Sequence, residues 1–257
     1  MPAGVSSHIG RVKSLFPRLP DPVVRVIVGT YLRYSWSYTK LVTWYYYGRK
    51  YDAPIRPFEL YDVSPDKIHY QPAYTLGTTW ECSVKAGDWD INVTAFEDEN
   101  LVHRSFVKRF VENKDWESTD LYSHAKEKIE SDGAWEGRNS ADGIIEELRL
   151  YDDMYDEIKN SGYKTQTQLR GSPSRDELQD KRYHPPEFAE ISVDVGRDGR
   201  LIWYGGQHRI SMAKILGLDS VPVRIRVRHE KWQRYRDEVW NDPSMDASWH
   251  PDLQHPD

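Results

Sequence analysis

A single cysteine, Cys82, stands in a chain of 257 residues. One thiol closes no internal disulfide and supplies no cysteine-based metal site, so a disulfide-stapled scaffold and a thiolate zinc module are both excluded. No unbroken apolar run of 18 residues occurs, because Arg25, Arg33 and Lys40 interrupt the most apolar region; a membrane-spanning helix is disfavoured. The first residues lack the apolar stretch of a secretory signal, which gives the expectation of a cytoplasmic chain, peripheral at the membrane. There is no internal repeat and no low-complexity tract. His229-Glu230 has no second histidine at the spacing of a helical zinc motif. What is present, 38% hydrophobic and 13% aromatic residues, suffices for a packed core and excludes a disordered chain. The length allows one large domain or two small ones.

Charge is unevenly placed. Residues 1–50 carry a formal +7, with Asp21 as their one acid, whereas the remainder carries −13. The basic segment is also aromatic, with Tyr31, Tyr34, Trp36, Tyr38, Trp44, Tyr45, Tyr46 and Tyr47. Trp and Tyr favour the depth of a membrane interface, and Lys and Arg meet anionic headgroups. The segment is therefore read as an N-terminal arm, residues 1–55, that lies on a lipid surface, packs on the core, or seals a second subunit. DNA is a weaker partner, because the remainder is acidic.

The most structured stretch is 198–223. Asp198-Gly199 signals a tight turn, Leu201 to Tyr204 a short strand, and Gly205-Gly206 a sharp corner into a helix with Ile210, Ala213 and Leu216 on its buried side. Gly217 is a natural helix stop, and 221–227 alternates as a strand. A helix start that follows two glycines exposes free N–H groups and suits an anion, phosphate above all. His208 and Arg209 in its first turn would add charge-assisted donors.

The quintet Gly205-Gly206-Gln207-His208-Arg209, preceded by the helix that ends Lys159-Asn160-Ser161-Gly162 and followed by Leu216-Gly217-Leu218-Asp219-Ser220-Val221-Pro222-Val223, resembles the signature of the ParB/sulfiredoxin superfamily. The resemblance covers roughly residues 145–228. It implies an α+β fold: a small mixed sheet with packed helices, here at 56–240, with a helical insertion at about 91–144 and a disordered tail at 241–257. Three departures narrow the implied chemistry. Gln207 replaces the sulfiredoxin cysteine, so thiol chemistry is lost. Ser211 stands where the ParB nucleotide clamp has a further arginine. No DNA-reading helix-turn-helix has room after residue 228. Small-molecule kinases of the superfamily remain. That resemblance implies a nucleotide-dependent phosphotransferase acting on a small or lipid-linked hydroxyl substrate. Gly205, Gly206, Gln207, His208 and Arg209 would hold the phosphates of ATP or another nucleoside triphosphate with Mg2+. A non-catalytic nucleotide-sensing or DNA-associated module, or a membrane-associated accessory protein, is the alternative.

A phosphotransferase needs an acid near the acceptor hydroxyl. The turn Gly87-Asp88-Trp89-Asp90 supplies Asp88 and Asp90 as its catalytic candidates, against the plainer reading that they are turn residues. Segment 171–186, with Pro173, Pro185 and Pro186 among charges, reads as a mobile loop or lid. Arg224, Arg226 and Arg228 alternate on one face of a strand, which reads as a solvated edge paired with acids, with a face for an anionic ligand as the alternative. Helices are expected at 101–111 and 121–129, with Ser118 or Thr119 capping the second.

Overall fold

The computed structural model describes residues 20–73, 82–169 and 186–254. The lid expected at 171–186 lies outside them except for Pro186, as do residues 1–19 of the arm. The architecture is α+β, built on one mixed sheet.

The strands are β1 (Leu60–Val63), β2 (Tyr70–Pro72), β3 (Ser83–Lys85), β4 (Val93–Ala95), β5 (Ile191–Val195), β6 (Leu201–Gly205) and β7 (Val221–His229). Their order is β1-β7-β5-β6-β2-β4, and β3 also pairs with β7. The helices are α1 (Asp21–Tyr47), α2 (Phe96–Glu99), α3 (Leu101–Phe106), α4 (Asp120–Asp132), α5 (Ala141–Ser161), α6 (Gln166–Leu169), α7 (Gln207–Ile215) and α8 (Glu230–Asn241). No helix among the described residues is long and apolar enough to cross a membrane.

β7 is the axis of the sheet. It pairs antiparallel with β1 through Val63↔Val221, parallel with β3 through Ser83↔Val227, and parallel with β5 through Ile191↔Val223. Val221, Val223 and Ile225 point to one face, where they pack with Ile191, Val193, Val195, Ile210 of α7 and Trp232 and Val239 of α8. The register then slips between Val193 and Asp194, which leaves Val227 opposite Asp194. Such a bulge flips the alternation. Val227 accordingly joins Trp89 and Ile202 in a small cluster, and Arg228 falls on the side of Trp232.

This corrects the reading of Arg224, Arg226 and Arg228 as a solvated edge. All three are buried in a central strand, and the bulge separates them. Arg224 donates to Ser192 Oγ and lies over the Phe188 ring, and Arg226 pairs with Asp194 and lies 3.3 Å over Tyr204. Arg228 instead pairs with Asp252. A buried guanidinium needs a matched carboxylate, since unpaired burial of charge is prohibitive.

The tail is corrected by the same pairing. Residues 242–254, expected to be disordered, fold back to a 3-10 turn at Pro251–Leu253 whose Asp252 and Leu253 are buried. Asp252 accepts from Arg228, from Trp232 Nε1 at 2.8 Å and lies 3.2 Å from Arg236 Nε. Polar, proline-punctuated sequence reads as tail, but one carboxylate that contacts two buried arginines outweighs that composition.

The helical layer follows local rules. Thr119 caps α4 by accepting from Tyr122 N, and Ser140 caps α5 by accepting from Gly143 N. Gly162 ends α5 at φ 74. Ile144, Leu148, Tyr151 and Ile158 recur on one face of α5 and pack with Phe106, Trp116 and Met212 of α7. The expected helix at 101–111 is α3 continued by a π-helical turn, Val107–Val111. The insertion at 91–144 is mostly helical and also contributes strand β4 to the sheet edge.

Candidate functional site

The corner between β6 and α7 forms as the sequence dictates. Gly206 sits at φ +79, and a Cβ there would lie 3.0 Å from Ile191 Cα. Both the left-handed backbone and the approach of β5 require glycine. No side chain caps α7, and its first intrahelical bond is Ile210 N to Gly206 O, so the N–H groups of Gln207, His208 and Arg209 have no partner within the helix. The Trp203 indole donates to Gly205 O at 3.0 Å and stiffens the turn.

The two side chains expected to supply charge at this corner are otherwise engaged. His208 lies 4.4 Å from the Tyr151 ring and 6.0 Å from Phe106, both stacked. Burial in this aromatic slot, with the Arg209 charge beside it, pushes the imidazole pKa down to about 4. At neutral pH His208 is an uncharged filler of the helix layer. Arg209 donates from Nη1 to Glu190 Oε2 at 2.7 Å and to Tyr163 Oη at 2.9 Å, and from Nη2 to Ala189 O. Glu190 is 2% exposed and also accepts from Gln166 N. Arg209 thus ties α7 to the start of β5 and to the turn after α5, and Glu190 neutralises it. Gln207 remains half-buried at the helix start.

Asp88 and Asp90 are not brought to this corner. Asp90 is buried and holds Arg197 through Nε at 3.0 Å, Nη2 at 2.7 Å and the backbone N at 2.7 Å. Asp88 accepts from the same guanidinium at 2.7 Å. Arg197 lies in the β5–β6 turn, at the opposite end of β6 from Gly205, roughly 13 Å away at ~3.3 Å per residue. Burial raises the Asp90 pKa, but the Arg197 hydrogen bonds outweigh it and hold the carboxyl below its ordinary value. Asp90 is an ionised anchor that pins the 87–90 turn to the hairpin. Its assignment as catalytic acid beside the phosphate corner is corrected, and that of Asp88 with it. The corner does not fit Mg2+ either, because Glu190 is already held by Arg209, Tyr163 and Gln166. Among the described residues no group of three or more His, Cys, Asp or Glu is placed to hold a metal ion.

A different surface comes to the fore on α1. Its described inward side chains are Val24, Thr39 and Thr43, all buried. Its exposed large apolar side chains are Val23, Val26, Tyr34, Tyr38, Leu41, Trp44, Tyr45 and Tyr46, by up to 68%. The spacing 34, 38, 41, 45 is one helical stripe, and Val23, Val26 and Trp44 extend it along a helix about 40 Å long at ~1.5 Å per residue. Among its described side chains Val24 and two threonines face the domain, and these large apolar groups face outward together with Ser37 and Lys40. Arg49 sets its guanidinium 5.2 Å over the Trp44 ring at the C-terminal end. The aromatic content of this arm was visible in sequence; which face would turn outward was not.

Beside the last turns of α1 runs a groove of about 550 Å³, bounded by Thr43, Trp44 and Tyr47 on one side and by the extended 51–59 segment on the other. That segment is fixed to α8, where Ala53 N donates to Asp237 Oδ1 at 2.9 Å and Gln233 Nε2 to Ala53 O at 3.1 Å. Lys50 adds an ion pair to Glu230. Sequence reasoning missed this wall; its signal was the pair Pro54 and Pro57, which hold the backbone extended.

Set against family models, curated proteins and solved structures, the chain gives no match.

Proposed function

We propose that the chain is a peripheral membrane-surface protein, laid on an anionic lipid surface by the outward face of α1. The observation that carries this reading is the exposed apolar face of α1, with Leu41, Trp44 and Tyr45 outside. A helix that exposes Trp44 and Tyr45, with Arg49 beside them, suits the headgroup boundary. The formal +7 of residues 1–50 against −13 for the remainder supports an anionic rather than a neutral surface. The order of α5, β5, β6, the Gly205-Gly206 corner, α7 and β7 supports the ParB/sulfiredoxin-like reading of residues 145–228 as the fold proposal for the body behind that helix. Phosphate transfer has less support, because its expected acids and its expected phosphate holders lie at opposite ends of β6.

The test is co-sedimentation with vesicles of phosphatidylserine and phosphatidylcholine. The wild-type chain binds, and Leu41→Glu with Tyr45→Glu lowers binding at least tenfold while leaving the circular dichroism unchanged. Undiminished binding of the double variant would overturn the reading. So would a wild-type dimer in sedimentation equilibrium that the double variant dissociates, since the stripe would then be a subunit seam. A parallel thermal-shift panel of ATP, CTP and GTP, with and without Mg2+, addresses the phosphotransferase. Stabilisation by a triphosphate that Gly206→Ala removes would reinstate it.

A further inference from the structure

We infer that the groove between the end of α1 and the 51–59 segment is a binding site for one acyl chain of a lipid. This rests on the reading of α1 as a lipid-facing helix for the source of the chain, and it assigns that face a ligand. Three features carry it.

The first is size. The groove offers about 550 Å³, within the usual range for small-molecule sites. The second is lining. Trp44, Tyr47, Ile55, Pro57 and Phe58 border it, and Phe58 is backed by the Phe188 ring at 5.2 Å. These five offer apolar contact along a chain, and Lys40, Asp52, Arg56 and Glu59 complete the lining with charge. The third is continuity. Trp44 belongs both to the outward stripe of α1 and to the groove wall, so the groove opens on the face that meets lipid. At that junction Arg49 stacks over Trp44, where a phosphate or carboxylate headgroup would be met by a cation. The backbone of the opposite wall is anchored to Asp237 and Gln233 of α8, so the groove is held open by the folded body. A groove continuous with the stripe would let the protein take hold of a single lipid rather than only rest among many.

The test uses the full chain and a nitroxide-labelled stearate below its critical micelle concentration. Saturable quenching of tryptophan fluorescence is expected, and the part due to the groove is the part that Trp44→Phe removes. Ile55→Arg, which puts a charge in the wall, and Ile55→Trp, which fills the groove without charge, should each weaken binding at least tenfold. Both should leave the circular dichroism and the vesicle co-sedimentation intact. Leu41→Glu with Tyr45→Glu should do the reverse, losing vesicles and keeping the monomeric fatty acid. Absence of saturable quenching, or equal affinity in both Ile55 variants, overturns the acyl site and leaves the surface reading standing. Fatty-acid binding by a chain that ignores vesicles overturns the surface reading and leaves the site standing. A self-association independent of fatty acid that Ile55→Arg abolishes would show a second copy in the groove and overturn the inference.

Discussion

Gly206 and His208 illustrate how a residue that reads as chemistry can be fixed by packing. At Gly206 a side chain meets both a left-handed backbone, about 1–2 kcal/mol, and Ile191 Cα at 3.0 Å. Gly206→Ala should therefore lower stability by about 2–3 kcal/mol in urea unfolding; a loss under 1 kcal/mol would mean that β5 yields. His208 makes the pH dependence specific. An imidazole in the unfolded chain takes a proton below about pH 6.5, whereas His208 and His250 take one in the fold only near pH 4. Between those values the unfolded chain binds more protons, so stability is complete above about pH 6.5 and falls as pH drops toward 4. At about 1.4 kcal/mol per unit, each histidine contributes up to roughly 3 kcal/mol. Urea midpoints at pH 7 and pH 5 should differ, and His208→Phe, which keeps the stack on Tyr151, should reduce the difference. An unchanged difference would show that the slot admits the imidazolium. The corner was legible in sequence because two glycines and a helix pattern are local signals. The partners of His208 and Arg209 were not, because Tyr151, Tyr163 and Glu190 reach them through tertiary packing.

Among the elements, the 251–253 turn and α1 depart furthest from what their composition suggests. The turn is held by one carboxylate. Burial would raise the Asp252 pKa, but Arg228 and Arg236 outweigh it and hold the group at about 2. Removing one member of such a set leaves buried charge without a partner, and the loss is typically 3–5 kcal/mol. Asp252→Asn should destabilise the whole domain by about that much in a single unfolding transition. A change under 1 kcal/mol, or a separate early transition for the tail, would show that the strap is independent of the core. Periodicity gave α4 and α7 because their apolar spacing serves their own burial, and the family resemblance gave α5. It could not give the 3-10 strap, which has no periodic signal, nor the outward face of α1, whose described inward contacts include two threonines.

At the scale of the whole molecule the charge separation has a direction. Residues 1–50 carry +7 and the remainder −13, so an anionic surface attracts the N-terminal segment and repels the rest. That field orients the approach and fades beyond a Debye length, about 8 Å at physiological salt. Vesicle binding should accordingly weaken with added salt yet persist in part, because the apolar stripe is indifferent to screening. Complete loss by 0.5 M salt would leave the stripe no share in attachment. The α+β class was readable from the alternation of strand and helix signals over 145–228. The sheet order was not, because β1, β3 and β7 come together from distant parts of the chain.

That sheet order also sets the tempo of folding. β1 and β3 each have β7 as their sheet neighbour, and Arg228 reaches Tyr61 across 167 residues of chain. Until 221–229 is in place those two strands have nothing to pair with, and β5 has only β6. The helical layer of α3, α4 and α5 and the β5–β6 hairpin need no distant partner, whereas β1 and β3 join only once β7 is in place. Folding governed by such distant pairings belongs to the slow, millisecond-to-second regime. During that interval the unpaired strands expose backbone that a neighbouring molecule could capture, so the same central strand that makes the finished sheet cohesive makes its formation the step most sensitive to crowding by copies of itself.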